Sequence, residues 1–317
     1  MYPRPAAIAW PLLALLALAT APGCATMGPG RSLVPTRYEA KAGPYVVHTN
    51  APLPADAPAL RQLRGLARQL EATLGVRVDP GTTAAEVYIL DDREAFARFL
   101  TYHHPEFPPR RAFFLAQDGR RLVYTHMGDR LEEDLRHEAT HALLNAAIGD
   151  VPLWLDEGLA EYFEVPEDRG GVNAEHLGRL PRDLAAGWSP DLRRLEALAD
   201  VRQMTPRDYR ESWAWVHYLL TGPGPARAAL LAYLADLRER PDADRLSARL
   251  PKSGDRMGAR LLAHLNRVRE SALADSGPAS TPARPPTARF QDDPAEAPER
   301  EPRHRGFIGK MGRWLGL

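Results

Sequence analysis

The chain of 317 residues carries 41 Lys and Arg against 41 Asp and Glu, and 44% of its residues are apolar. That content suffices for one substantial packed core or two small ones, and the balanced charge lacks the basic footprint that a nucleic-acid partner requires. Nucleic-acid binding is set aside, and with one cysteine no intramolecular disulfide is expected.

The first 24 residues read as a signal peptide: Arg4 precedes an apolar run over residues 6–19, and the small-residue segment Ala21-Pro22-Gly23-Cys24 follows. The run is shorter than the roughly 20 residues of a membrane-spanning helix. The end of the segment resembles a bacterial lipobox, with Ala21 and Pro22 where Leu and a small residue are usual. The resemblance implies cleavage behind Gly23, lipid on the sulfur of Cys24 and an exported protein held in the cell envelope. Ala25 after the cysteine points by analogy to the outer membrane, facing the periplasm. A plain secretory signal is the alternative.

A tether over 25–36 leads to a short β-branched and aromatic strand at 45–48. Leu60, Leu63, Leu66, Leu70 and Leu74 then recur at helical spacing up to Gly75, a natural stop. Residues 85–90 (AEVYIL) read as a buried strand and 91–100 as a helix. Residues 112–115 and 122–125 form a hairpin around Asp118-Gly119. From residue 130 strand signals give way to helices: one carrying Leu131, Leu135, Ala139, Ala142 and Ala146, a second over 153–163, a loop at Gly170-Gly171, and further helices near 191–198, 206–220, 225–238 and 255–271. The expected fold class is α+β, a small mixed sheet with helices followed by a mainly helical half, in one domain over 37–271. Residues 272–306, rich in Pro, Ala, Ser and charge, cannot bury enough apolar surface to offset their ordering entropy and read as a disordered linker. The last segment, 307–317, places Phe307, Ile308, Met311, Trp314 and Leu315 on one helical face, a tail suited to a membrane surface or a partner.

The chemistry concentrates at RHEATHA, residues 136–142. His137 and His141, four apart, lie one turn apart on one helix face, where two imidazoles can share an ion. Glu138 projects about 100° around the helix, beside such an ion, where a general base for a metal-bound water belongs. Chance alone would give this pattern in about 2% of comparable chains, but it predicts nothing downstream. Residues 152–163 read PLWLDEGLAEYF, with Glu157 and Glu161 on one face of the next helix. A short connection brings that face to the first helix, and a carboxylate from it completes the three protein ligands of a catalytic zinc.

HExxH followed by WLxEGxAEYF resembles the gluzincin metallopeptidases, and most closely uncharacterised bacterial gluzincin-like lipoproteins of the peptidase MA-like type. The resemblance covers residues 38–220, including a YxxSWAxVHYLL helix. It implies a zincin-like fold, zinc on His137, His141 and Glu157, Glu138 as the catalytic base, and Glu161 as the acidic support of the first zinc histidine. It also implies an oxyanion donor from a later helix, for which Tyr209 is preferred over His217. The GxMEN segment with which related aminopeptidases bind a free amino end is missing, which favours endopeptidase cleavage. The hairpin lies where zincins carry a substrate-pairing edge strand.

The expectation is therefore a zinc-dependent peptidase acting on a peptide or protein substrate, anchored to the membrane through Cys24. Two alternatives stand beside it: an inactive zinc-binding envelope scaffold, and a zinc hydrolase of non-peptide substrates. His103, His104 and His126 read as structural or surface histidines, Trp154, Tyr162 and Phe163 as core, and Asp156 as a solvated or capping residue.

Overall fold

The computed structural model describes residues 33–240, 243–250 and 256–275. The signal segment with Cys24, most of the tether, the linker beyond residue 275 and the 307–317 tail lie outside them. The elements run β1 (Tyr38–Ala42), β2 (Tyr45–Thr49), α1 (Pro58–Leu74), β3 (Ala85–Leu90), α2 (Arg93–His103), β4 (Phe113–Gln117), β5 (Arg120–His126), α3 (Leu131–Ala147), α4 (Leu153–Phe163), α5 (Ala174–Ala185), α6 (Leu192–Glu196), α7 (Pro206–Thr221), α8 (Gly224–Glu239), α9 (Leu246–Arg249) and α10 (Arg256–Asp275). The protein is an α+β fold, with its small mixed sheet in the N-terminal half.

The five strands are ordered β1-β2-β3-β5-β4. β3 lies in the middle, parallel to both neighbours, while β1 and β4 pair antiparallel to β2 and β5. The near-continuous apolar run of β3 follows from burial on both faces. Val87 and Ile89 meet the main core with α1 and α3, and Tyr88 and Leu90 meet Phe96, Phe99 and Leu100 of α2. Asp118 and Gly119 turn the β4–β5 hairpin with φ of 53° and 74°, the left-handed pair that a two-residue turn requires. β4 is thereby the edge strand on the side of α3, and the Phe114 ring lies 6.5 Å from that of His141.

Three elements are additional to the sequence reading: β1, α5 and the short α9. β1 lies in a stretch to which the sequence pattern assigns no element; YEAKA has one fully buried side chain, Ala42, so it forms by pairing with β2 more than by its own pattern. α5 replaces an expected loop. It holds an internal Pro181, and it forms because Asn173 accepts from His176 N–H at 3.1 Å as its cap and Leu177 and Leu180 are buried.

α3 and α4 are joined by residues 148–152, and Arg136, 3% exposed, ties them to α1. Its guanidinium donates to Gln69 Oε1 at 2.6 Å and to the Val165 carbonyl at 3.1 Å. α4 lies against α7 so closely that a Cβ on Gly158 would stand 2.6 Å from the Ser212 carbonyl oxygen. Only glycine fits between Glu157 and Leu159 at this crossing. Among the described residues no helix is long and apolar enough to cross a membrane.

Candidate metal centre

His137 and His141 stand on the inner face of α3 with ring centroids 4.9 Å apart. The Nε2 atom of each lies 3.8 Å from the same oxygen, Oε2 of Glu157 on α4. One ligand atom from each of the three residues falls within 4.8 Å of the others, and all three residues are buried. A carboxylate stands behind each ring. His137 Nδ1 is 2.9 Å from Glu164 Oε2, and His141 Nδ1 is 3.2 Å from Asp156 Oδ1. The hydrogen bond to Glu164 sets the His137 ring with Nε2 toward Glu157, whereas His141 Nδ1 faces Asp156 without a hydrogen bond.

The front of the site is short of hydrogen bonds. Both Nε2 atoms and both Glu157 oxygens are shut from solvent without a hydrogen-bond partner. A buried polar atom in that state costs about 1–3 kcal/mol, and three of the four, the two Nε2 atoms and Glu157 Oε2, lie where one cation could meet them. The electrostatics agree. Burial alone would lower the His137 imidazole, but its hydrogen bond to Glu164 and the charges of Glu138, Glu164 and Glu161 outweigh that and hold it up at about 10. Burial drives the Glu157 carboxyl far upward, against the nearby charge of His137. A divalent ion would supply the positive charge that these carboxylates otherwise draw from protons.

His137, Glu161 and Glu164 also approach one another within 4.8 Å. That second group is knit by hydrogen bonds: Glu164 accepts from Asn173 Nδ2 at 3.0 Å, and Glu161 Oε2 is 2.8 Å from His176 Nε2. The atoms left without partners belong to His137, His141 and Glu157, so of the two groups this one could better take a metal ion.

Glu138 is 2% exposed, contributes no atom to either ligand group, and lines a cavity of about 690 Å³ together with His137, Glu161, Arg110 and Tyr209. Its Oε2 is buried without a hydrogen-bond partner. The two donor candidates of α7 separate clearly. Tyr209 lines this cavity, and burial, reinforced by the charges of Glu157 and Glu161, pushes its phenol well above the usual range, so the O–H keeps its proton to donate. His217 packs against Trp213 and Tyr162 and lies 2.9 Å from His264, outside the residues that line the cleft.

Two expectations need correcting. Asp156 is neither solvated nor a cap: it is 5% exposed and faces His141. The direct partner of His137 Nδ1 is Glu164, not Glu161, whose bond to His176 holds α5 against α4. Glu164 was legible, being seven residues after Glu157 and therefore two turns along the same face. Asp156, His176 and Arg110 carried no spacing signal, since their partners are set by tertiary packing. Trp154, Tyr162 and Phe163 are core, as expected.

Residues 133–244 match the model of a family described as a protein of unknown function (DUF1570); the matched stretch includes His137, His141, Glu157, Glu164 and Tyr209. Among curated proteins nothing matches.

Proposed function

We propose that this chain is a zinc metallopeptidase of the gluzincin type that hydrolyses peptide bonds in the bacterial cell envelope, with zinc on His137, His141 and Glu157. The observation that carries the reading is the convergence of three buried, unsatisfied ligand atoms, one each from His137, His141 and Glu157, with Glu138 lining the adjoining cavity. Ligand atoms on a tetrahedral zinc, with bonds of about 2.0–2.2 Å, lie about 3.4 Å apart. The two 3.8 Å separations are within a few tenths of an ångström of that. Two neutral imidazoles and a carboxylate are the donor set of a catalytic zinc with an open position.

Zinc bound here would polarise a scissile carbonyl and acidify a water molecule. Glu138 takes the proton from that water and returns it to the leaving amine. Tyr209 donates its hydroxyl hydrogen toward the carbonyl oxygen as charge develops there. Glu164 holds the His137 imidazole in place through its hydrogen bond, and Asp156 places a negative charge behind His141. β4, the edge strand beside His141, offers its unpaired rim to an extended chain, which supports endopeptidase cleavage by strand addition. Export and a lipid anchor on Cys24 complete the proposal. The test is incubation of the purified protein with a peptide library, with chelator and then with zinc restored. Cleavage that chelator abolishes and zinc recovers is expected; cleavage indifferent to chelator, or none in the zinc-loaded protein, contradicts it.

A further inference from the structure

The cleft has a wall that this chemistry does not use. Phe96 and Leu100 of α2 line it with Phe107 from the loop before β4, between Pro105 and Pro109, and all three large side chains are buried. Arg110 stands at the junction of this wall with the acidic half. Its guanidinium carbon lies 4.9 Å from the centroid of the Phe107 ring, its Nε donates to the Pro108 carbonyl at 3.3 Å, and its Nη1 is shut from solvent. Ring and carbonyl together fix the guanidinium plane. Burial lowers the group somewhat, and the charges of Glu138, Tyr209 and Glu157 oppose this, so Arg110 feels the reacting groups directly.

We infer that Arg110 anchors a carboxylate carried by the ligand beside an apolar side chain, which lies against Phe96, Leu100 and Phe107. The class of ligand is an anionic apolar peptide segment, whose carboxylate comes from a chain end with an apolar last residue or from an acidic residue next to an apolar one. A stacked guanidinium presents its donors as a planar fork that matches a carboxylate, and its orientation is fixed before binding, which lowers the cost of association. A single carboxylate fits better than a phosphate, because Glu138, Glu161 and Glu164, which line the same cavity, would repel a second negative charge. The word peptide rests on the proposed function; the carboxylate and the apolar wall do not.

The test is calorimetric binding of 3-phenylpropionate and its amide to the full chain, chelated and zinc-loaded, for wild type, Arg110→Gln and Arg110→Lys. Melting temperatures establish that each variant folds. In both metal states the acid should bind wild type at least about tenfold more tightly than the amide, as expected for a charge-assisted pair. Arg110→Gln should erase that difference, and Arg110→Lys should restore only part of it, because the ammonium lacks the fork. Acid and amide binding alike, or acid binding unchanged in Arg110→Gln, overturns the inference. If acid binds only with zinc and ignores Arg110, the metal takes the carboxylate: the anchor fails while the metal reading stands. If the chain takes up no zinc but acid binding still depends on Arg110, the metal reading fails and the anchor stands. Acetyl-Ala-Phe with a free end against acetyl-Phe-Asp-amide then assigns the carboxylate, the tighter ligand naming its source; failure of both to exceed the amide controls counts against the anchor.

Discussion

Two pairs of buried histidines lie in this fold, both with every member no more than 5% exposed, and their surroundings send them in opposite directions. On α3, His137 and His141 each have a carboxylate behind Nδ1 and share Glu157 in front, and the His137 imidazole is held up at about 10. Between α7 and α10, His217 Nδ1 meets His264 Nε2 at 2.9 Å, with the Thr221 hydroxyl 3.0 Å from the same Nδ1. There burial, with a smaller push from His264, brings His217 down to about 4. Burial is common to both, so the neighbours decide: carboxylates prepare one pair to face a cation, while a second imidazole and a hydroxyl keep the other neutral and structural.

The most severe way to break this contrast is to remove the shared carboxylate. Glu157→Ala should largely abolish metal binding, measured by competition with a chromophoric chelator, whereas a variant that still competes well would mean that Glu157 is not a ligand. Tyr209→Phe should lower kcat by about 10²- to 10³-fold, the worth of one oxyanion donor, with metal content unchanged; an unaltered kcat would remove Tyr209 from the reaction.

The structural pair is tested by pH. An unfolded His titrates near 6.5 and His217 in the fold at about 4, so between those values the unfolded chain binds more protons. The stability that the neutral imidazole contributes is complete above pH 6.5 and is lost as the pH falls toward 4, by on the order of 3 kcal/mol at most. Urea unfolding across that range should show a steeper acid loss for wild type than for His217→Gln; parallel curves would refute the neutral assignment.

Smaller effects sharpen the metal side. Gly158→Ala places a methyl 2.6 Å from the Ser212 carbonyl oxygen and should destabilise the fold by about 1–3 kcal/mol through overpacking, read as a lower Tm. Glu164→Gln and Asp156→Asn should each weaken metal affinity by about 10- to 100-fold, and Glu161→Gln by less, because its bond goes to His176. A larger loss at Glu161 would reverse the assignment of the carboxylate behind His137.

What could be read from the sequence tracks how local each feature is. The strands AEVYIL and the Asp118-Gly119 hairpin, the HEATH helix and the DEGLAE helix are set by period, turn chemistry and i, i+4 spacing, and they stand where the pattern put them. β1 and α5 were missed because one depends on a neighbouring strand and the other on a cap that outweighs an internal proline. Of the residues around the imidazoles, Glu164 lay on a readable helical face, whereas Asp156 looked solvated because its partner belongs to another helix. Arg110 was invisible for the same reason: nothing in FPPRR says that the first arginine stacks on Phe107 at the mouth of a cleft.

In the proposed chemistry Glu138 moves protons while His137, His141 and Glu157 hold the metal, and Glu138→Gln tests that separation most directly. Elemental analysis of the purified variant beside wild type should find one zinc per chain in both, while hydrolysis of a peptide that wild type cleaves falls to background. Loss of zinc with Glu138, or hydrolysis that survives its replacement, would contradict the account.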